Sequence, residues 1–309
     1  MRPPTLEPVY TSISDRDRNL ATGNREAVHY HRWQWLNLMS LDAPLVALLW
    51  QGLLAGCYHV DLHWPATASL ALAVWFIYLA DRWLDAGSPG LYPMPARHEF
   101  ARAHRGLLLG MTLGVGAALF WSCAHLSRPV LRSGLWMAAA VAVYMIIVHA
   151  APQWVRRIWP KEVAVGILFA LGTCLATWSQ MGSGRERLLA PVLLLAGLCW
   201  INCTAIEYWE WRRLGQTRAH PDPIHRWTRL AGEHLGALAG FIGLAAVLLL
   251  AFETPRAALA ATLMSASGFL WLNRRSGWLP LPALRVLADA ALFSPVLIYA
   301  ASYGWLHRL

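Results

Sequence analysis

The sequence predicts an all-α polytopic membrane protein. Hydrophobic residues make up 57% of its 309 residues and charged residues only 14%, whereas a soluble domain carries about 25% charged residues. The apolar runs show no period-2 alternation, which favours helices over the strands of a membrane barrel. The net charge of +9 comes from short groups of arginine with no basic stripe. The composition therefore excludes a soluble enzyme with a charged surface and a nucleic-acid binder.

Nine windows are long and apolar enough for helices that cross a bilayer, which need about 20 residues. The windows are residues 36–57, 65–86, 106–126, 132–151, 161–180, 188–208, 230–252, 257–273 and 283–304. Two small-residue spacings, Gly110/Gly114 and Gly236/Gly240, are typical of close contacts between membrane helices.

The positions of the basic residues predict the orientation. With the N-terminus inside, the cytoplasmic segments carry 18 of the 26 basic residues and the outer segments carry six. Since cytoplasmic loops of membrane proteins are enriched in lysine and arginine, the N-terminus is predicted to be cytoplasmic. Nine spans then place the C-terminus on the opposite side.

The first residues are charged, and no apolar segment of a signal peptide precedes the first window. We expect residues 1–27 to form a mobile cytoplasmic tail and residues 28–309 to form the nine-helix membrane domain. The expected location is the membrane, in a bacterium the inner (cytoplasmic) membrane.

The strongest candidate for chemistry is the segment YLADRWLD at the end of the second window. Asp81 and Asp85 are four residues apart, so their carboxylates share one helix face about 6 Å apart. Such a pair repels itself unless a cation neutralises it, and Mg²⁺ binds one or two carboxylates together with phosphate oxygens. The pair predicts a metal site for a diphosphate; pairing with Arg82 or Arg285 is the alternative.

A second acidic segment, NCTAIEYWEWRRL, ends the sixth window. Glu207 and Glu210 roughly share a helix face, and Asn202 lies just over a turn earlier. Both glutamates are candidate Mg²⁺ ligands. The alternative is an interfacial belt in which one of them pairs with Arg213.

Three further ionisable residues lie near the predicted cytoplasmic ends of spans, where intramembrane charge often marks function. Lys161 begins the fifth window, and its ammonium can bind a diphosphate as a point charge or act as a positive-inside anchor. Arg285 and Asp289 are four apart in the ninth window, where they can form an internal ion pair or line the same cavity.

The chain resembles the UbiA superfamily of intramembrane prenyltransferases over about residues 30–305. The nine windows, the segment YLADRWLDA and the acidic segment ending the sixth window carry the resemblance, and RHEFARAHR, PKEVAVG and RVLADAALFSP look similar to segments of divergent members. The resemblance implies nine helices around a central cavity that opens to the cytoplasm and laterally to lipid. It also implies that two facing acidic motifs bind an isoprenyl diphosphate through Mg²⁺.

The resemblance assigns roles to individual residues. It matches Asp81 and Asp85 to the two aspartates of the first motif, places Glu207 and Glu210 in the region of the second as further catalytic metal ligands, and makes Lys161 a diphosphate contact. Arg82, Asn202, Arg285 and Asp289, which lie in or near the same segments, complete the candidate substrate-binding set. The implied reaction transfers the prenyl group to a lipophilic acceptor or cyclises it.

The sequence departs from the family in both motifs. Ile77 stands where the first motif usually has asparagine, and the second motif has Glu207 and Glu210 where aspartates four apart are usual. A catalytically lapsed, structural or lipid-binding subunit of a membrane complex is therefore the alternative function.

Overall fold

The structure is a computed structural model that describes residues 39–85, 103–151, 160–215, 224–252 and 255–306. These residues belong to one compact unit, Leu36–Leu309. The predicted tail, residues 1–27, lies outside them, as do residues 28–38 and the Arg97–Arg102 part of RHEFARAHR. Every regular element in the described ranges is a helix, which confirms the all-α class.

Eleven α-helices and one short 3₁₀ helix are described. The α-helices are α1 (Asp42–Cys57), α2 (Trp64–Asp85), α3 (Arg105–Cys123), α4 (Arg128–Ala150), α5 (Lys161–Gln180), α6 (Leu189–Gly215), α7 (Arg226–Glu233), α8 (Leu235–Leu249), α9 (Arg256–Arg275), α10 (Leu281–Ala291) and α11 (Ser294–Leu306). The 3₁₀ helix, Arg185–Leu188, leads directly into α6.

Each predicted window coincides with a helix or with a bent pair of helices. Five helices, α2 to α6, are long and apolar enough to cross a membrane, or up to seven spans if each bent pair counts as one. The pairs α7–α8 and α10–α11 bend by 71° and 47°. Pro295 explains the second bend, because a proline lacks the N–H that would continue the helix and its ring clashes with the preceding turn. The protein is a helical membrane protein.

The surface of the bundle supports this class directly. In α4, a 23-residue apolar helix, Val130 is the one residue classed as buried. Large apolar side chains lie exposed all around the described part of the bundle, among them Phe120 at 81% and Trp136 at 74%. A soluble protein rarely exposes so many large apolar side chains. These helices are therefore suited to contact with lipid.

The core surrounds α6, which packs against α5 and against α7 to α10. The α5 and α6 backbones come close together at Gly166 of α5, where a Cβ atom would lie 2.7 Å from the carbonyl oxygen of Ala196 and 2.8 Å from the amide nitrogen of Trp200. Only a glycine permits backbones to come this close. At Gly110, Gly114 and Gly240, by contrast, a Cβ would meet nothing within 4 Å, whereas at Gly236 it would lie 3.1 Å from Asn273 Nδ2. The sequence spacing therefore identified a close contact at one of its four glycines and did not indicate Gly166.

Hydrogen bonds at one end of the bundle join the starts of some helices to the ends of others. Ser69 near the start of α2 bonds Ser122 near the end of α3 at 2.9 Å, and Ser179 of α5 donates to Ser133 of α4 at 2.9 Å. Neighbouring helices are therefore antiparallel.

Tyr58, just after α1, donates at this end to the Arg187 carbonyl at 2.6 Å. Burial raises the pKa of Tyr58 to about 12, so this hydroxyl keeps its proton near neutral pH.

Candidate functional site

The opposite end of the bundle gathers the charged side chains. The end of α2 meets the end of α4, the start of α5 meets the end of α6, and the end of α6 meets α10. Charge counting alone predicted that these ends share one side, and the contacts place them together.

Asp81 and Asp85 lie on the last turns of α2, as the sequence predicts. They are joined by His149, which lies in the last turn of α4. His149 Nε2 is 3.0 Å from Asp81 Oδ1, and one ligand atom from each of the three residues lies within 4.8 Å of the others. Within the described ranges, this is the one group of three or more His, Cys, Asp or Glu residues close enough to hold a metal ion.

Sequence reasoning did not select His149. The residue ends an apolar window, and no acidic or cysteine partner stands near it in the chain. Its position in the last turn of a span predicted to end on the cytoplasmic side was the one available signal. Only the packing of α4 beside α2 brings it to the carboxylates.

Lys161 and Glu207 form an ion pair across the α5–α6 contact, with Nζ and Oε2 3.4 Å apart. Their side chains are 52% and 38% exposed, so solvent reaches both. The pair places the single lysine of the chain beside the second acidic segment. Both side chains are therefore accessible to solutes, and the Lys161 ammonium can contact an anionic ligand.

Glu210 has a different environment. Its carboxylate forms an ion pair with the guanidinium of Arg285 on α10, and the side chains are only 11% and 10% exposed. A buried carboxylate neutralised by arginine has less need of a metal ion. Arg285 thus contacts Glu210 from the second acidic segment, a partner that the sequence did not indicate.

Asn202 and Asp289 are also brought together. The Asn202 side-chain amide donates to Asp289 Oδ1 at 2.9 Å, joining α6 to α10. Arg82 follows Asp81 directly in the last turns of α2, about 100° round the helix from the face that the two aspartates share. Arg105, at the start of α3, stacks its guanidinium over the Trp83 ring at 5.0 Å, which keeps a further cation near this end.

Two side chains connect these contacts into one polar region. Tyr144 on α4 lies within electrostatic range of Asp81, Asp85 and Glu162. Cys203 on α6 likewise lies close enough to Glu162 and Asp289 to interact with their charges. Tyr144 thus lies near acidic residues of α2 and α5, and Cys203 lies near acidic residues of α5 and α10.

Glu162, at the start of α5, is 3% exposed and accepts a hydrogen bond from Thr228 at 2.9 Å. This buried bond ties α5 to α7. It gives Glu162 a structural partner, while its neighbour Lys161 points to a more open environment.

Two cavities lie away from these charges. An apolar cavity of about 700 Å³ is bounded by α9 and the α10–α11 bend, with Leu263, Met264, Phe293 and Leu297 among its lining residues. A smaller one of about 250 Å³ lies near Gln51 and Asp61 at the end of α1.

The donor set decides which cations the polar region suits. Asp81 and Asp85 supply the carboxylate oxygens that Mg²⁺ prefers, and the two residues therefore fit the cation implied by the resemblance. His149 adds an imidazole nitrogen, a donor that suits transition metals better. The residues present are thus compatible with a divalent cation.

Comparisons of the chain with protein-family models, with curated proteins and with solved structures give no significant match. The likeness to the UbiA superfamily remains a resemblance carried by a few segments.

Proposed function

We propose that the protein is an intramembrane enzyme that cleaves an isoprenyl diphosphate and transfers or cyclises the prenyl group. The observation that carries the proposal is the grouping of Asp81, Asp85 and His149, with ligand atoms within 4.8 Å of one another, at the charged end of an apolar helical bundle. In a prenyl diphosphate, the anionic diphosphate suits a cation held by the three side chains, and the apolar tail suits the apolar bundle.

In this proposal Asp81 and Asp85 hold a divalent cation, Mg²⁺ being the ion expected from the carboxylates. When bound, that ion supplies Lewis-acid stabilisation to the departing diphosphate. The bond that breaks joins the allylic carbon to the diphosphate oxygen, and its electron pair leaves with the oxygen. The carbon then forms a bond to a lipophilic acceptor or to a double bond of its own chain, and the resulting cation loses a proton to water.

Positive side chains neutralise the rest of the diphosphate charge. Lys161 is half-exposed near Glu207, so its ammonium can turn from the carboxylate to a more highly charged phosphate. Arg82 follows Asp81 on α2 and is a second cation at this end of the bundle. Cations placed where negative charge develops stabilise the departing diphosphate.

The proposed topology is nine spans with the N-terminus inside. It counts α1 and α9 and each bent pair as a span. The antiparallel neighbours and the collection of charged helix ends on one side of the bundle support it. The proposed site then faces the cytoplasm. The water-soluble diphosphate group of the substrate would enter from that side.

The decisive assay measures pyrophosphate release by the purified protein, given prenyl diphosphates of five to twenty carbons and Mg²⁺. Wild type is expected to release pyrophosphate with at least one chain length. Asp81→Asn and Asp85→Asn are expected to lower the rate at least about 100-fold, since each replaces a negatively charged ligand of the cation with a neutral amide.

Asp61→Asn is the matched control, because Asp61 is exposed near the far end of α1 and lines the smaller cavity. This variant should keep the wild-type rate. No release from wild type at any chain length would contradict the proposed reaction.

A second candidate is a non-catalytic lipid-binding or structural subunit of a membrane complex. It is favoured by the buried Glu210–Arg285 pair, which neutralises one of the two glutamates of the second acidic segment. The apolar cavity at the α10–α11 bend would then hold a lipid chain. Co-purified lipid that is lost in Ala291→Trp, with no pyrophosphate release from wild type, would favour this function.

A further inference from the structure

Three side chains from two helices meet at the charged end of the bundle. His149 is 19% exposed and Asp81 is 44% exposed, so the group is held by the protein but open on one side. Two carboxylates and one imidazole are a mixed donor set, which differs from the all-oxygen set expected from the sequence.

The spacing is compatible with direct binding of one ion. Ligand atoms about 2.1 Å from a metal ion lie about 3.0 Å apart when they occupy adjacent octahedral positions. His149 Nε2 and Asp81 Oδ1 are 3.0 Å apart. Small side-chain rotations would bring Asp85, whose ligand atom is within 4.8 Å of both, to the same ion.

The chemistry of the donors restricts the ion. Mg²⁺ takes oxygen ligands and keeps several waters, whereas imidazole is a usual ligand of iron, zinc and other first-row transition ions. Two aspartates and a neutral imidazole balance the charge of a dication. Three protein ligands leave positions open for diphosphate oxygens.

We propose that Asp81, Asp85 and His149 form a site selective for a first-row transition-metal dication, with His149 Nε2 as a direct ligand. This inference deepens the proposed function and shares its two aspartates. It does not depend on the substrate being a prenyl diphosphate. The competing explanation is that His149 only orients Asp81 through their hydrogen bond.

The test measures metal binding to the full-length protein in detergent after removal of bound metal with a chelator. Co²⁺ is titrated by its visible absorption and Mn²⁺ by electron paramagnetic resonance, and Mg²⁺ is added as a competitor. Wild type is expected to bind Co²⁺ and Mn²⁺ at least about tenfold more tightly than Mg²⁺.

His149→Gln separates the two explanations, because glutamine keeps an amide donor for Asp81 but lacks the imidazole. We expect it to weaken Co²⁺ binding at least about tenfold and to shift the Co²⁺ absorption bands, while Mg²⁺ affinity changes by less than about twofold. His63→Gln, at an exposed site before α2, should behave as wild type. Asp85→Asn gives a second variant in case His149→Gln does not fold.

Unchanged Co²⁺ affinity and bands in His149→Gln, or equal wild-type affinity for Mg²⁺ and Co²⁺, would overturn the inference. Such a result leaves the proposed function intact if pyrophosphate is still released with Mg²⁺. Conversely, His149-dependent Co²⁺ binding by a protein that releases no pyrophosphate with Mg²⁺, Mn²⁺ or Co²⁺ supports the metal site and refutes the proposed reaction.

Discussion

Glu210 on α6 and Arg285 on α10 form a buried ion pair that clamps two helices together at the charged end of the bundle. The pair matters for function because Glu210 was a candidate metal ligand. Its charge is already compensated by a guanidinium. The carboxylates that have a nearby imidazole are instead those of α2.

Removing one member of this pair should destabilise the protein. Glu210→Leu or Arg285→Leu leaves a buried charge without this ion-pair partner, a change that costs about 3–5 kcal/mol. The double variant should recover most of that loss, because an apolar pair of similar volume often replaces a buried ion pair without penalty. Thermal unfolding midpoints in detergent measure the effect. Single variants as stable as wild type would show that the pair does not hold α6 to α10.

Gly166 should resist any larger residue. Gly166→Ala places a methyl group against the α6 backbone at 2.7 Å from the Ala196 oxygen, and overpacking of this kind costs about 1–3 kcal/mol. Gly172→Ala is the control in the same helix, because a Cβ there meets nothing within 4 Å. It should be neutral or stabilising by up to about 1 kcal/mol. Equal unfolding midpoints for the two variants would contradict the close approach of α5 and α6.

The exposed pair Lys161–Glu207 should affect substrate binding more than stability. Glu207→Gln is expected to change stability by less than about 1 kcal/mol, since solvent screens exposed pairs. Lys161→Gln should raise KM for the prenyl diphosphate at least about fivefold with a smaller change in kcat. Arg212→Gln removes another exposed cation near the end of α6 and should leave KM unchanged. A KM equally raised in Arg212→Gln would indicate a general charge effect.

The proposed orientation is testable with cysteine labelling in a background without the native cysteines. A Cβ at Gly182 or at Gly277 meets nothing within 4 Å, so cysteine fits at both. A membrane-impermeant maleimide added to intact cells should label Gly182→Cys. It should label Gly277→Cys only after permeabilisation. The reverse pattern would invert the topology and move the site to the outer side.

Much of the fold was predictable because hydropathy and helical periodicity are local properties. All nine apolar windows contain helices, and the carboxylates of Asp81 and Asp85 share a face because residues four apart do so in any α-helix. The bends were not predictable in this way. The 47° break before Pro295 had a visible cause, whereas the 71° bend between α7 and α8 had no comparable signal in the sequence.

The candidate site was predictable only in part. Asp81 stands 68 positions from His149, and Arg285 stands 75 positions from Glu210. No local pattern links such residues. Arg285 has Asp289 one turn away in its own helix, so the sequence suggested that partner, while helix packing placed Glu210 against its guanidinium.

The sequence by itself determined that this protein is a helical membrane protein and that two carboxylates share the end of one helix. These properties follow from apolar content and from the 3.6-residue turn. Tertiary structure alone decided that His149 lies beside Asp81 and Asp85 and that Arg285 forms an ion pair with Glu210. Both contacts join different helices, and their partners depend on how the helices pack and turn about their axes.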